Sequence, residues 1–250
     1  ILVHRYSVLV LLKRIMFKLY LSHYKFSLSL IFLCLFLTGL AAQNDKIAFT
    51  NSKPVDDKRY SDIKGSPMYF KDWVTGKIIR HDALIYEDVL LNYNGYTRTF
   101  EIKTGDEMIE LDGDVYLRVD VDAADNPDAI DRIPTEHFAF QKNLHSRFSD
   151  QFVIILFAEN DVMLIKEFKV DIAKHTIQDV GKAIDFKDFQ RKEIYYLKAD
   201  GKLTSLRYKK KVILGAFDSP EVEPYIKEHK LRLKTEADLI QLAQFYSTLD

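Results

Sequence analysis

Between Trp73 and Leu214 the chain repeats one pattern, short runs of β-branched and aromatic residues that alternate with polar ones and stop at turn residues. Ten runs can be marked: "WVTGKIIR", "ALIYEDVLLNY", "TRTFEIK", "EMIELDG", "VYLRVDV", "HFAFQK", "QFVIILFAEN", "VMLIKEFKVDI", "EIYYLKA" and "LTSLRYKKKVIL". A period of two sends successive side chains to opposite faces of a strand. Strands this closely spaced leave no room for helical crossovers, so they predict an antiparallel sheet. The turn chemistry agrees. Asn94-Gly95 in "NYNGYT" and the Asp-Gly pairs in "LDGDV" and "KADGKL" accept positive φ, and "FAENDVM" reads as another short hairpin connection. Sequential hairpins give a meander, and ten strands are expected to curl into a barrel or fold into two packed layers.

The C-terminus changes character. "FDSPEVEPYIKEHKLRLKTEADLIQLAQFYSTLD" lacks strand alternation and carries helix-start chemistry twice. Ser219 is expected to cap a helix with Pro220 at its first position and Glu221 and Glu223 in its first turn, where free N–H groups favour negative charge. Thr235 with Asp238 three residues later resembles a capping box. Beyond it Leu239, Leu242, Ala243, Tyr246 and Leu249 share one helical face. The fold class expected is therefore α+β, mainly β: a curled antiparallel β meander, barrel-like or two-layered, ending in a pair of α-helices at about 219–229 and 236–248.

The N-terminal region reads as a leader. The apolar run Phe26 to Leu40 is 15 residues long, short of the roughly 20 that cross a hydrocarbon core. Basic residues Lys18 and Lys25 precede it, with His23 between them, and small Gly39, Ala41 and Ala42 follow, which is the layout of a signal peptide cleaved near Ala42 or Gln43. An N-terminally membrane-anchored chain is the alternative. The sequence opens on Ile1, and Met16 is the expected natural start, so residues 1–43 are set apart as over-extended start plus signal peptide. Cys34, the single cysteine, lies inside the apolar run after Phe32 and Leu33, without the small preceding residue of a lipidation signal. Residues 1–43 hold five of the 36 Lys and Arg and none of the 37 Asp and Glu, leaving 31 basic against 37 acidic and a formal charge of −6. That balance gives no electrostatic footprint for nucleic acid, and a mature chain without cysteine forms no disulfide in an oxidising compartment. Residues 44–65, including "NSKPVDDKRYSDIKG", show no apolar period and are expected as a flexible linker before a single β-rich domain, 66–250.

The opening "KGSPMYFKDWVTGKI" and the ending "EVEPYIKEHKLRLKTEADLIQLAQFY" resemble a family of small secreted proteins of unknown function from Bacteroidota-type genomes, which share a Gly-Ser-Pro lead-in, a β-rich body and a final helix pair. The resemblance spans most of 64–250. It implies fold and location, with no catalytic residues to carry over. Met68 departs from the aromatic or Tyr-Leu pair more usual there.

Candidate sites are few. Asp120, Asp122, Asp125, Asp128 and Asp131 crowd the polar stretch Asp120 to Pro134, expected as a surface loop. Counted from Asp120, an EF-hand would need its turn glycine at Asp125 and a bidentate Glu at Asp131, so the stretch fails that pattern and leaves at most a weak calcium site. The histidines His81, His137, His145, His175 and His229 show no metal spacing, and Glu136-His137 lacks the second histidine of a metalloprotease helix. Ser66 in "KGSPM" lacks the Gly-x-Ser-x-Gly frame of a nucleophile elbow. Arg207, Lys209, Lys210 and Lys211 form the strongest positive cluster; as a strand it would split Lys209 and Lys211 from Lys210, the arrangement of a charge-protected edge or of a contact to an anionic lipid or polysaccharide. Phe138, Phe140 and Tyr196 would line a barrel mouth if one formed. No catalytic, metal or cofactor residue is assigned and no cofactor is expected. The expectation is a secreted or periplasmic non-enzymatic protein that binds or scaffolds in the cell envelope, its partner an envelope protein or an apolar small ligand, with no stable membrane span after cleavage. A β-barrel carrier of a small apolar ligand comes second, and a hydrolase third.

Overall fold

The computed structural model describes Phe49 and residues 52–122, 137–179 and 182–249. The alternating runs form one twelve-stranded sheet. In chain order its strands are β1 (Lys53–Pro54), β2 (Ile63–Lys64), β3 (Val74–Arg80), β4 (Ile85–Asn94), β5 (Thr99–Thr104), β6 (Glu107–Glu110), β7 (Tyr116–Asp122), β8 (His137–Gln141), β9 (Val153–Glu159), β10 (Val162–Asp179), β11 (Lys182–Ala199) and β12 (Lys202–Leu206). The spatial order is β1-β6-β5-β4-β3-β7-β8-β9-β10-β11-β12, with β2 alongside β11. Only β2 pairs in parallel; the other pairings are antiparallel. Two meanders, β3 to β6 and β7 to β12, are thus sewn together where β7 returns to pair with β3. β1 and β12 end the order without meeting, so the mainly β fold is an open sheet and not a closed barrel.

Two hairpins follow their turn residues closely. Asn160 and Asp161, with φ of 47° and 63°, join β9 to β10, and Asp200 and Gly201, at 51° and 71°, join β11 to β12. Two central residues with positive φ give the twist that matches right-handed strands. Asn94-Gly95 behaves differently. Here the positive φ falls on Arg98, and the Asn94 side chain accepts hydrogen bonds from the Tyr96 and Thr97 amides at 2.9 and 3.2 Å. Gly95 is required for space: a Cβ there would lie 2.4 Å from the Phe168 ring.

The linker expected at 44–65 is, in its described part, laced to the sheet. β1 pairs with β6 and β2 with β11. Between them Arg59 reaches the buried Glu101 carboxylate. Two-residue strands carry little alternation, so a pattern search over longer windows passes over them.

Strands β10 and β11 run paired from Met163↔Lys198 to Asp179↔Lys182. Their outer half projects as a ribbon past the rest of the sheet, flanked only by β2 among the described strands. On one face of it Ile177 lies opposite Ile184, and His175 opposite the Phe186 ring on which it stacks.

The main core lies on one face of the sheet. Phe70, Tyr93, Phe100, Phe140 and Phe152 are fully buried, and Phe100 meets Phe140 and Phe152 edge-on at 4.9 and 5.1 Å. Each buried ring contributes about 1.5–3 kcal/mol by area, and edge-on pairs add about 0.5–1.5. A smaller cluster of Phe148, Val153, Ile165 and Tyr196 fills the other face. Phe140 pairs in register with Ile154, while Tyr196 pairs with Ile165, which faces Ile155. Phe140 and Tyr196 therefore belong to opposite faces and do not line one shared barrel cavity.

Three helices end the domain: α1 (Lys210–Ala216), α2 (Val222–Glu228) and α3 (Glu236–Tyr246). The last two correspond to the expected pair. α2 begins later than expected, with Glu221 at its N-cap, because Ser219 instead accepts the Glu221 amide in a preceding turn at 3.3 Å. The capping box of Thr235 and Asp238 is present in full. α1 replaces the end of the run expected as a strand. Its buried Ile213, with Phe217 four residues on, keeps the helical period, and an apolar run as short as "VIL" does not distinguish the two periods. No helix among the described residues is long and apolar enough to cross a membrane.

Candidate functional site

Strand alternation builds an open concavity on one face of the sheet. In β3 the buried Val74, Gly76 and Ile78 alternate with half-exposed Thr75 and Lys77, and in β7 buried Val119 and Val121 alternate with Arg118 and Asp120. β8 turns Phe140 to the core and Gln141 away from it, and β9 does the same with Ile154 and Ile155. The residues turned away floor an open trough of about 830 Å³. Register sets Lys77 opposite Asp120 and Arg118 opposite Gln141.

The trough is divided in chemistry. On the β3–β7 side Lys77 pairs with Glu87 at 3.0 Å, and Arg118 donates through Nε to Asp120 at 2.6 Å and through Nη1 to Gln141 at 3.2 Å. On the β9–β10 side the lining is Ile155, Phe157 and Met163. Exposed ion pairs of this kind contribute about 0–1 kcal/mol each to stability, so their charges stay available to exchange partners. Among the described residues the lining holds no His, Cys, Ser or Tyr. Its chemistry suits adsorption of a surface that is polar at one edge and apolar at the other.

The residues singled out from sequence do not converge. Asp120 is drawn into β7 beside Arg118, and Asp122 ends that strand; Asp125, Asp128 and Asp131 lie outside the described residues. His145 caps a 3₁₀ turn by accepting the Arg147 amide at 3.1 Å. His175 sits 2.8 Å from Asp188, and His229 stacks on Tyr225. Ser66 accepts the Met68 amide at 3.2 Å in the approach to β3. Among the described residues no group of three or more His, Cys, Asp or Glu could hold a metal ion. Lys209, Lys210 and Lys211 enter α1 in place of a strand, and Lys210 pairs with Glu223 at 2.9 Å.

A buried ionic cluster that no sequence motif announces lies beneath α3. Lys166 on β10 lies 2.7 Å from Glu236 at the first turn of α3 and 5.2 Å from the Tyr69 ring centre. The Tyr195 hydroxyl is 3.0 Å from both Glu193 and Glu236. Burial pulls the Lys166 ammonium down, but Tyr69, Glu236 and Glu193 outweigh it and hold the group above its ordinary value. Burial likewise pushes the Tyr69 hydroxyl up to about 12, against the pull of Lys166. The signal in the sequence was Lys166-Glu167 inside the apolar run "VMLIKEF".

Comparison with known protein families, curated proteins and solved structures finds no match for this chain.

Proposed function

We propose that this is an exported cell-envelope protein that acts without catalysis, by binding or scaffolding through the trough, as a member of the secreted class its sequence resembles. The observation that carries the reading is the shape and chemistry of that trough: open along its length, floored by a rigid antiparallel lattice, and split between ion pairs and apolar side chains. An extended macromolecular surface fits such a feature. A small apolar ligand fits a deep enclosed one, and the barrel-carrier alternative has less support because Phe140 is packed in the core on the face away from the trough.

Site-specific photo-crosslinking in the exporting cell tests the reading. A crosslinker placed at Thr75 or Gln141 should give discrete higher-mass adducts with envelope material that one placed at exposed Lys230 does not. Adduct yields at the trough no higher than at Lys230 would overturn it.

A further inference from the structure

β12 ends the sheet, and among the described residues no strand pairs with its second edge. Because Asp200 and Gly201 form a two-residue turn with positive φ, Ala199 and Lys202 are the hydrogen-bonded pair closing the hairpin. Pairs then alternate along an antiparallel ladder, so Thr204 and Leu206 bond to β11 while the amides and carbonyls of Leu203 and Ser205 point outward. Among the described residues these outward groups meet no backbone partner. An unpaired row of this kind is a template for another strand.

Beside this edge lies a cleft of about 470 Å³ lined by Arg147, Tyr195, Tyr196, Ser205, Arg207 and Tyr208. Arg147 lies over the Tyr196 ring at 5.2 Å. Glu193, the one carboxylate among the described lining residues, is engaged by Tyr195 at 3.0 Å. Arg147, Lys202, Arg207 and Lys209 have no carboxylate at ion-pair distance among the described residues, although Lys210 next to them has one. This surplus of positive charge stands on a chain whose formal net charge is −1.

We propose that the open edge of β12 and the adjoining cleft dock an extended acidic peptide segment of a partner protein by strand addition. Main-chain bonds to Leu203 and Ser205 hold the segment, and its carboxylates meet Arg147 and Arg207 while its aliphatic carbons rest on the exposed Tyr208 ring. Pairing with a second copy is opposed by charge, since it would bring together two edges that each carry Lys202, Arg207 and Lys209. Lys202 guards only the first position of the edge. The site is separate from the trough.

Fluorescence anisotropy with the mature chain and a labelled Glu-Val-Glu-Val-Glu-Val peptide tests the proposal, with Lys-Val-Lys-Val-Lys-Val as the control. The acidic peptide should bind saturably and the basic one should not. Arg147→Glu with Arg207→Glu should weaken binding at least tenfold. So should Ser205→Pro, which removes an outward amide and no bond to β11. Arg118→Glu in the trough should leave it unchanged. On the unmodified chain, bound peptide should slow hydrogen exchange at the Leu203 and Ser205 amides, a readout independent of whether the proline variant folds. No saturable binding of the acidic peptide, equal binding by the folded charge variant, or binding without protection at Leu203 and Ser205 would each overturn the proposal. So would binding to anionic phospholipid vesicles without binding to the peptide.

Discussion

Lys166 and Glu236 show how much one buried pair can decide. Their side chains are 4% and 15% exposed, and removing one member of such a pair leaves a charge without water or partner, at a cost of about 3–5 kcal/mol. Glu236→Gln or Lys166→Met should each lower stability by that amount in a denaturant titration, whereas Lys166→Met with Glu236→Leu should recover most of the loss. Glu101 works in the opposite sense. Burial raises its carboxyl above the ordinary value of 4.5, even though Asn94 and Arg59 pull it down. A raised carboxyl binds its proton more tightly when folded, so its contribution is full below pH 4.5 and is lost as pH rises through the folded value. Thermal melts of Glu101→Gln should therefore match the natural chain at acid pH and exceed it increasingly towards neutrality. At Gly95 the issue is space alone. Gly95→Ala puts a carbon against Phe168, and overpacking of this kind costs about 1–3 kcal/mol.

At the scale of elements, the last helix is part of the folding unit. α3 buries Leu239, Ile240, Leu242 and Ala243 and lies against β9 and β10. Its three larger side chains contribute about 4–9 kcal/mol before the cost of ordering, comparable with the net stability of a domain, about 5–15 kcal/mol. Truncation after Lys234 should leave a chain with no cooperative melt, while Thr235→Ala, which removes only the cap, should cost about 1 kcal/mol. The elements also show what the sequence could reveal. Strands with strict alternation, the hairpin turns at Asn160-Asp161 and Asp200-Gly201 and the capping box were legible, because each is decided by neighbours a few residues apart, whereas Asp112-Gly113 joins β6 to β7, which do not pair. The ribbon half of β10 and β11 was not, since charged Lys174, Asp185 and Lys187 interrupt its apolar residues and it is held by cross-strand pairing. α1 was hidden by an apolar run too short to show its period. The trough was illegible for a related reason: its floor brings Lys77, Arg118, Gln141 and Ile155 together only through the register of β3, β7, β8 and β9. Nothing along the chain marks them as neighbours.

At the scale of the whole molecule, the described strands form an open sheet with aromatic clusters packed on both faces and concavities that face outward. Native mass spectrometry of the purified protein tests this most directly. The expected mass is that of a bare chain beginning between Ala42 and Asn44, with no retained small molecule. A stoichiometric adduct of lipid size that survives gentle desolvation would contradict it, because among the described residues the sheet is open and Phe140 and Tyr196 pack on opposite faces of it without lining one cavity.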